Sequence, residues 1–170
     1  MRRQQYTITS RAIHEHAAQL CQKHFRLEDH GPKCTALTLL TLLFYAAARL
    51  TSLAATCGSL SGAPSDTAVR TALLATLPQT YERQRRVNRA LQGDLPKALR
   101  RRRQPLAIDL TLLPYHGEPL EDPHEIYRGQ AKDGTRHFHA YATAYVIRKG
   151  QRFTVALVYV HQGDDLAEVV

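Results

Sequence analysis

Long apolar runs and paired cysteines are both scarce in this sequence. The longest apolar run, Leu39–Ala48, is interrupted by Thr41, whereas a helix that spans a bilayer needs about 20 apolar residues. No apolar stretch typical of a secretory signal follows the first residues. The cysteines number three, with no CxxC pair: Cys21, Cys34 and Cys57. We therefore expect reduced, structural thiols, a buried helix at residues 39–48, and a soluble cytoplasmic protein.

Acidic side chains are also in short supply, and the imbalance is uneven along the chain. The 170 residues carry 23 Lys+Arg against 15 Asp+Glu, a formal net charge of +8. Residues 1–103 have a net charge of +11, which leaves −3 for residues 104–170. A basic front and a mildly acidic back are typical of a chain whose front meets a polyanion.

The basic excess is concentrated in residues 81–103, which the pattern predicts to form two polar helices separated by Gly93. A solvated helix face or a hinge would have the same composition, so those alternatives stay open. This basic segment directly follows a predicted helical hairpin, which favours the interpretation that its side chains contact phosphates. The candidate DNA-binding arginines are Arg83, Arg86, Arg89, Arg100, Arg101, Arg102 and Arg103.

The first 80 residues show helical periodicity. It predicts a helix over Ser10–His24 with Ser10 as its cap, and a much more apolar helix over Lys33–Leu50. The second helix is therefore expected at the centre of an N-terminal bundle.

A helix-turn-helix pattern follows at residues 52–77. A short amphipathic helix, Ser52–Leu60, is separated by a turn rich in Gly and Pro from a second helix, Thr67–Leu77, capped by Ser65 or Asp66. The second helix would offer four side chains to a DNA groove: Ser65, Thr67, Arg70 and Thr71. A plain structural hairpin has the same pattern, so that alternative stays open.

After Pro105 the periodicity changes from helical to strand-like. Three apolar runs predict strands at Leu106–Leu113, Phe138–Ile147 and Phe153–Val160, and Gly150 marks a hairpin turn between the last two. Both alternating sets of the third run are apolar, which predicts a strand covered on both faces. Only the start of a helix follows, so we expect the sheet to belong to a larger, incomplete domain.

Asp109 is the most informative residue of the first predicted strand, because alternation places it in mid-strand among apolar neighbours. A buried charge is costly unless a hydrogen-bond network, a cation or a metal accompanies it. One aspartate alone does not supply a Mg²⁺ site, because Mg²⁺ needs several oxygen ligands.

Other polar residues gather around the second predicted strand. His137 and His139 share a strand face, a spacing compatible with zinc, although no cysteine or acidic partner stands at a ligand spacing. Arg128, Lys132 and Arg136 suggest a phosphate site next to the strand that carries the aspartate. Walker A, GxSxG and catalytic Cys/His signatures are absent from the sequence.

Three stretches of residues 104–170 resemble the DDE transposases of prokaryotic insertion sequences. They are IDLTLLPYHG at 108–117, RGQAKDGTRHFHAYATAY at 128–145 and RFTVAL at 152–157. The similarity is greatest to the halobacterial-type group. Residues 10–103 resemble the family only in being a helical, basic part that precedes the catalytic core. The resemblance implies an α+β chain with a helical DNA-binding region at 1–103, followed at 104–170 by the first three antiparallel strands of a ribonuclease-H-like catalytic domain.

The resemblance also implies an activity. Two aspartates and a glutamate of the family hold two Mg²⁺ ions that activate water or a 3′-hydroxyl for attack on a DNA phosphodiester. Asp109 matches the first aspartate and is thus the expected catalytic and metal-binding residue. The other two carboxylates are expected well beyond the third strand, and Asp164 and Asp165 do not stand at the expected place.

The expected partners follow from the same resemblance. They are double-stranded DNA at transposon ends and further copies of the chain, as a homodimer or larger assembly in the prokaryotic nucleoid. Arg128, Lys132 and His137 join the arginines of the basic segment as expected DNA-binding residues. A truncated DNA-binding regulator and an inactive remnant are the alternatives.

Overall fold

The computed structural model describes the chain as two compact units. Its described residues are 8–93, 95–100, 103–117, 123–148 and 150–169. The first unit comprises residues 1–83 and the second residues 84–170. The chain is α+β, as expected, but the boundary follows residue 83 rather than residue 103. The basic segment was expected to belong with the helical region, and most of it belongs to the second unit.

The first unit is helical. Its helices are α1 (Ser10–Phe25), α2 (Ala36–Arg49), α3 (Leu53–Ser59) and α4 (Asp66–Thr76). Each begins after a hydroxyl residue whose side chain accepts a hydrogen bond from the backbone N–H three residues further on. These N-caps are Thr9, Thr35, Ser52 and Ser65. The predicted cap Ser10 and the predicted start at Lys33 were therefore wrong, because Thr9 and Thr35 take those roles.

The core of the first unit lies around Leu39 and Val69, both fully buried. The other buried members come from α1, α2, α4 and the segment between α1 and α2: Ala18, Leu27, Cys34, Leu40, Leu42, Ala72 and Leu73. The apolar helix α2 contributes three of these side chains, which confirms its predicted central place. Burial raises the pKa of the Cys21 thiol above its ordinary value, which lowers the fraction of reactive thiolate.

A sharp corner separates α2 from α3. The C-cap of α2, Leu50, adopts a left-handed backbone conformation with φ at 51°. Among the described residues no helix alone is long and apolar enough to span a membrane; α2 and α3 meet that criterion only as a pair, and they are bent by 106° at this corner.

The second unit combines short helices with an antiparallel sheet. Helix α5 (Thr80–Gly93) begins in the first unit and belongs to the second from Gln84 onward. The further elements of the second unit are, in chain order, α6 (Lys97–Arg100), β1 (Ala107–Pro114), a 3-10 turn (Pro123–Glu125), β2 (Tyr127–Lys132), β3 (Thr135–Arg148), β4 (Gln151–Val160) and α7 (Leu166–Val169). The helix predicted over residues 94–103 is shorter than expected, and Asp94, Arg101 and Arg102 lie outside the described residues.

The long strand β3 is the centre of the sheet. Phe138 pairs with Pro114 of β1 and with Tyr127 of β2, so β1 and β2 lie on opposite edges of β3. Ala140 pairs likewise with Leu112 of β1 and with β4. Strands β2 and β4 therefore follow one another along the same edge of β3, and β1 occupies the other edge.

The expectation of three strands was wrong by one, because β2 was missed. Its residues are mostly polar and include Gly129, so they lack the β-branched and aromatic composition typical of strands. The missed signal is the turn after β2, where Asp133 and Gly134 both have positive φ, at 51° and 78°. An Asp-Gly pair in that conformation forms the two-residue turn that connects hairpin strands.

The two faces of the sheet differ in burial. One face, here called the apolar face, carries the buried side chains of β3 and β4: Phe138, Ala140, Ala142, Val146 and Val160. The β1 residues in register with it, Ile108 and Leu110, remain exposed. The described residues do not provide the cover that β4 calls for on both faces: only Val160 of that strand is buried, and residues 153–159 are half-buried.

Thr56 of α3 offers a test of the core. Its side chain is fully buried, and its hydroxyl has no hydrogen-bond partner among the described residues. Because an unpaired buried hydroxyl is costly, we expect Thr56→Val to raise the free energy of unfolding by about 1 kcal/mol. Urea denaturation measures the change.

The matched control is Thr56→Ser, which keeps the hydroxyl and removes a buried methyl. It should lower the free energy of unfolding by about 1 kcal/mol. A loss of stability in Thr56→Val as large as that in Thr56→Ser would show that the hydroxyl is satisfied.

Candidate nucleic-acid interface

Helices α3 and α4 form the hairpin predicted at residues 52–77. The turn between them includes Gly62 with φ at 76°, and the N–H of Ala63 donates to the carbonyl of Leu60. The inner face of α4 is anchored in the core by Val69, Ala72 and Leu73. The hairpin therefore holds α4 by one face and leaves the other exposed.

The exposed face of α4 carries Thr67, Arg70, Thr71 and Leu74, at helical spacing. Arg70 Nε lies 3.8 Å from Asp66 Oδ2, one turn earlier. The Ser65 hydroxyl was predicted to face a DNA groove. It accepts a hydrogen bond from the Ala68 N–H instead, as the N-cap of α4.

Leu74 was not among the side chains of this helix that the sequence was predicted to offer to a DNA groove. It is 84% exposed. Its position one turn beyond Arg70 and Thr71 on the same helix face was the signal available in the sequence.

The arginines of the basic segment fall into two groups. Arg83 donates twice to the Pro78 carbonyl, at 3.2 and 3.3 Å, and Arg100 donates to the carbonyls of Leu95 and Gly93. These guanidinium groups use part of their donor capacity on backbone at helix ends. Arg86 is half-buried, whereas Arg89 and Arg103 are exposed.

Two amide side chains bind α5 to the outer edge of β4. Asn88 Nδ2 donates to the Leu157 carbonyl at 2.9 Å, and the Leu157 N–H donates to Asn88 Oδ1 at 2.8 Å. One turn earlier, Gln84 Oε1 accepts from the Tyr159 N–H at 2.9 Å. One helical turn, about 5.4 Å, nearly matches two residues of strand, about 6.8 Å, so the two contacts form together.

This amide contact has two consequences. It satisfies backbone groups at an edge of the sheet that would otherwise be open to another chain. It also fixes the neighbouring Arg89 relative to the sheet of the same unit. Sequence reasoning missed the contact because two amides in a polar, basic helix are typical of a solvated face.

Asp109 lies in mid-strand on β1, as predicted, but it is not buried. Its side chain is 50% exposed, because it projects from the face opposite to the apolar face. Of the hydrogen-bond network, cation and metal that the sequence left open, the structure places a cation beside this carboxylate: Arg152 Nη2 lies 3.8 Å from Asp109 Oδ2. The Arg152 guanidinium also lies 3.6 Å from the centre of the Tyr145 ring and 3.3 Å from Thr143 Oγ1.

The residues around Asp109 do not form a magnesium site by themselves. They provide one carboxylate, one hydroxyl and one guanidinium, whereas Mg²⁺ needs about six oxygen ligands, water included. Across the described parts of the chain, no group of three or more His, Cys, Asp or Glu side chains could hold a metal ion. Asp164 and Asp165 accept from the N–H groups of His161 and Ala167, and so stabilise the turn before α7.

The predicted phosphate site beside Asp109 was wrong. Arg128 pairs with His137, whereas Asp109 pairs with Thr143, six residues or about 20 Å further along β3. Lys132 lies farther still, opposite Thr135. These residues were placed near Asp109 because they are near in sequence, and the length of β3 separates them.

Two of the four histidines between residues 116 and 139 lie on one surface of the sheet. His137 and His139 lie on the same face of β3 and are half-buried, as the alternation predicts. His139 packs edge-on against Tyr115, with the ring centres 4.9 Å apart. His116 and His124 are exposed.

Asn88 offers a test of the contact between α5 and β4. In Asn88→Asp a carboxylate faces the Leu157 carbonyl, so one hydrogen bond is lost and two oxygens meet. We expect the free energy of unfolding to fall by about 2 kcal/mol, measured by urea denaturation. The same amide-to-acid change at the exposed Gln92 of α5, Gln92→Glu, should change it by less than about 0.5 kcal/mol. Equal effects of the two substitutions would contradict the contact.

Comparison of the chain with models of protein families, with curated proteins and with solved structures finds no match.

Proposed function

We propose that this chain binds double-stranded DNA at transposon ends, as the DNA-binding and first catalytic part of a DDE transposase. One observation carries the DNA-binding part of this proposal. Helix α4 is held in the core by Val69, Ala72 and Leu73, and it presents Thr67, Arg70 and Thr71 outward from its first turns. In a helix-turn-helix protein, the N-terminal residues of the second helix contact base edges in the major groove.

The charge of the chain supports the same proposal. Residues 1–103 have a net charge of +11, and phosphate contacts by Lys and Arg provide most of the affinity of proteins for DNA. Arg70, exposed on α4, is the candidate for donating to a guanine, while the exposed Arg89 and Arg103 suit phosphates.

The transposase part of the proposal is supported by the resemblance of residues 108–157 and by the position of Asp109. The aspartate lies on the first of three strands, β1, β3 and β4, that are antiparallel neighbours in the order β1–β3–β4. The additional hairpin strand β2 departs from the three strands that the resemblance implies. The proposal includes Mg²⁺ as the cofactor of the complete catalytic site, a homodimer or larger assembly on DNA, and a location in the prokaryotic nucleoid.

A DNA-binding regulator or an inactive remnant is the second candidate function. It is favoured by the contact of Asp109 with Arg152, since a carboxylate paired with a guanidinium lacks the acidic neighbours of a two-metal site. DNA binding is expected of both the transposase fragment and the regulator, and it separates these two from the inactive remnant.

DNA binding is tested by the salt dependence of affinity for duplexes. We expect the logarithm of the affinity to fall linearly with the logarithm of the salt concentration. Arg89→Ala should weaken all duplexes alike and lower the slope by about one, because it removes a phosphate contact. Fluorescence anisotropy with labelled duplexes measures both quantities.

Arg70→Ala should instead change sequence preference, at a cost of about 1–3 kcal/mol for the preferred site, as found by selection from a randomised duplex pool. Arg11→Ala is the matched control, since Arg11 is an exposed arginine of α1 whose Nε lies 2.7 Å from a Glu15 carboxylate oxygen. Binding that is absent or independent of salt would contradict the proposal.

Strand cleavage is tested with supercoiled plasmid and Mg²⁺. Because a single carboxylate does not assemble a two-metal site, we expect the 170-residue chain alone to leave the plasmid intact on an agarose gel. Mg²⁺-dependent nicking that Asp109→Asn abolishes, and that Asp133→Asn in the β2–β3 turn does not, would show that the chain is an enzyme on its own.

A further inference from the structure

We propose that the sheet of the second unit binds unpaired nucleobases, so that a single-stranded nucleic acid lies along β3. The site is the face opposite to the apolar face, here called the aromatic face. It is defined by His139, Tyr141, Tyr145, Tyr159 and Arg152. The site is separate from the exposed face of α4, and the inference does not rest on duplex binding there.

The register of the strands places these side chains on one surface. Tyr141 pairs with Tyr159 of β4, and Tyr145 pairs with Thr154. Residues two apart on a strand project from the same face, about 6.8 Å from each other. Positions 139, 141, 143 and 145 of β3 therefore form a row, and three of its four side chains are aromatic rings.

The rings contact their neighbours and keep part of their surface in solvent. The ring centres of Tyr141 and Tyr159 lie 4.9 Å apart with the rings tilted by 49°. Tyr141, Tyr145 and Tyr159 are half-buried, whereas Phe138, Ala140 and Ala142 on the apolar face are buried. Aromatic side chains on an antiparallel sheet are the surface on which unpaired bases stack in several nucleic-acid-binding modules.

Arg152 adds a second stacking surface. Its guanidinium lies 3.6 Å from the centre of the Tyr145 ring, and its side chain is half exposed. A guanidinium plane on an aromatic ring stacks with a base through its free face and donates to phosphates through its edge. The contact with Asp109 balances the charge of that carboxylate, which would otherwise repel a phosphate backbone.

Basic side chains lie toward the other end of the same face. Arg128 is in register with His137, and Lys132 is in register with Thr135, so both project on the side of the row at 139–145. Both are exposed. From Thr135 to Tyr145 the strand extends about 34 Å, which suits a site of about four or more nucleotides. Cations toward both ends with aromatic rings between them match the charge and the bases of a single strand.

The first experiment needs no variant. Fluorescence anisotropy compares the full chain on labelled oligothymidine of 12 nucleotides with an abasic strand of the same length and charge. Stacking predicts at least a fivefold tighter complex with oligothymidine, because each stacked base contributes about a factor of five or more. Equal affinity for the two strands would overturn the proposal, since it would mean that only phosphates are bound. Oligouridine in the same assay shows whether the site prefers RNA or DNA. If neither oligothymidine nor oligouridine binds more tightly than the abasic strand, the proposal is overturned.

Tyrosine emission gives an independent signal. The chain has eight tyrosines and no tryptophan, so its intrinsic fluorescence reports on tyrosine alone. Oligothymidine should quench this emission, and the abasic strand should not. If the rings serve only to pair β3 with β4, oligothymidine and the abasic oligonucleotide should have the same effect on the emission. That result would contradict the proposal.

Variants locate the site. Tyr141→Ala should weaken oligothymidine binding at least fivefold, and Tyr141→Phe should restore it. Tyr127→Leu is the control, because Tyr127 packs on the apolar face against the cluster of Ala140, Ala142 and Val160. Circular dichroism and the urea midpoint confirm that each variant is folded. An unchanged affinity in folded Tyr141→Ala would overturn the assignment.

Duplex binding by α4 and single-strand binding by the aromatic face can be refuted independently of each other. Tyr141→Ala should weaken oligothymidine binding at least fivefold and leave duplex affinity unchanged. Arg70→Ala should do the reverse, with duplex preference altered and oligothymidine binding intact. A chain that binds duplex but does not distinguish oligothymidine from the abasic strand refutes the inference alone.

Discussion

The pairing of β3 on both edges is the constraint on which the second unit depends. Strands β1, β2 and β4 are all hydrogen-bonded to β3. Because successive side chains of a strand alternate between faces, this one strand separates the buried Phe138, Ala140 and Ala142 from the tyrosines and histidines of the other side. A slip of one residue in its register would exchange the two sets, so the burial of small apolar residues fixes the placement of the polar ones.

Residues with a local physical signal were predicted well. Hydroxyl caps, Gly-containing turns and helical periodicity placed the four helices of the first unit within a few residues, and alternation placed Asp109 in mid-strand. Two features were not predicted. The polar composition of β2 concealed a strand whose local signal was the Asp-Gly turn that joins it to β3. The contact of α5 with β4 joins residues distant in sequence, and Gln84 and Asn88 gave no sign that their amides would bind that strand. The exposure of Asp109 likewise follows from which face of the sheet is buried, which one strand alone does not determine.

The candidate interfaces differ in how they are supported. Helix α4 presents its exposed face from a packed core, so Arg70 and Thr71 project from a rigid helix. The aromatic face is supported by strand pairing, with Tyr141 and Tyr159 holding each other across β3 and β4. In both cases packing or strand pairing holds the backbone that carries the candidate residues, which lowers the entropy lost on binding.

Strand β1 has a consequence for the behaviour of the chain in concentrated solution. Among the described strands it pairs only with β3, and its Ile108 and Leu110 are 48% and 37% exposed. An open strand edge beside exposed apolar side chains is a general starting point for aggregation, which proteins commonly suppress with lysine, proline or a β-bulge. On β1 proline stands at the last position, Pro114, and the one charged side chain is Asp109, already paired with Arg152. We therefore expect copies of this chain to associate through the edge of β1 as the concentration rises.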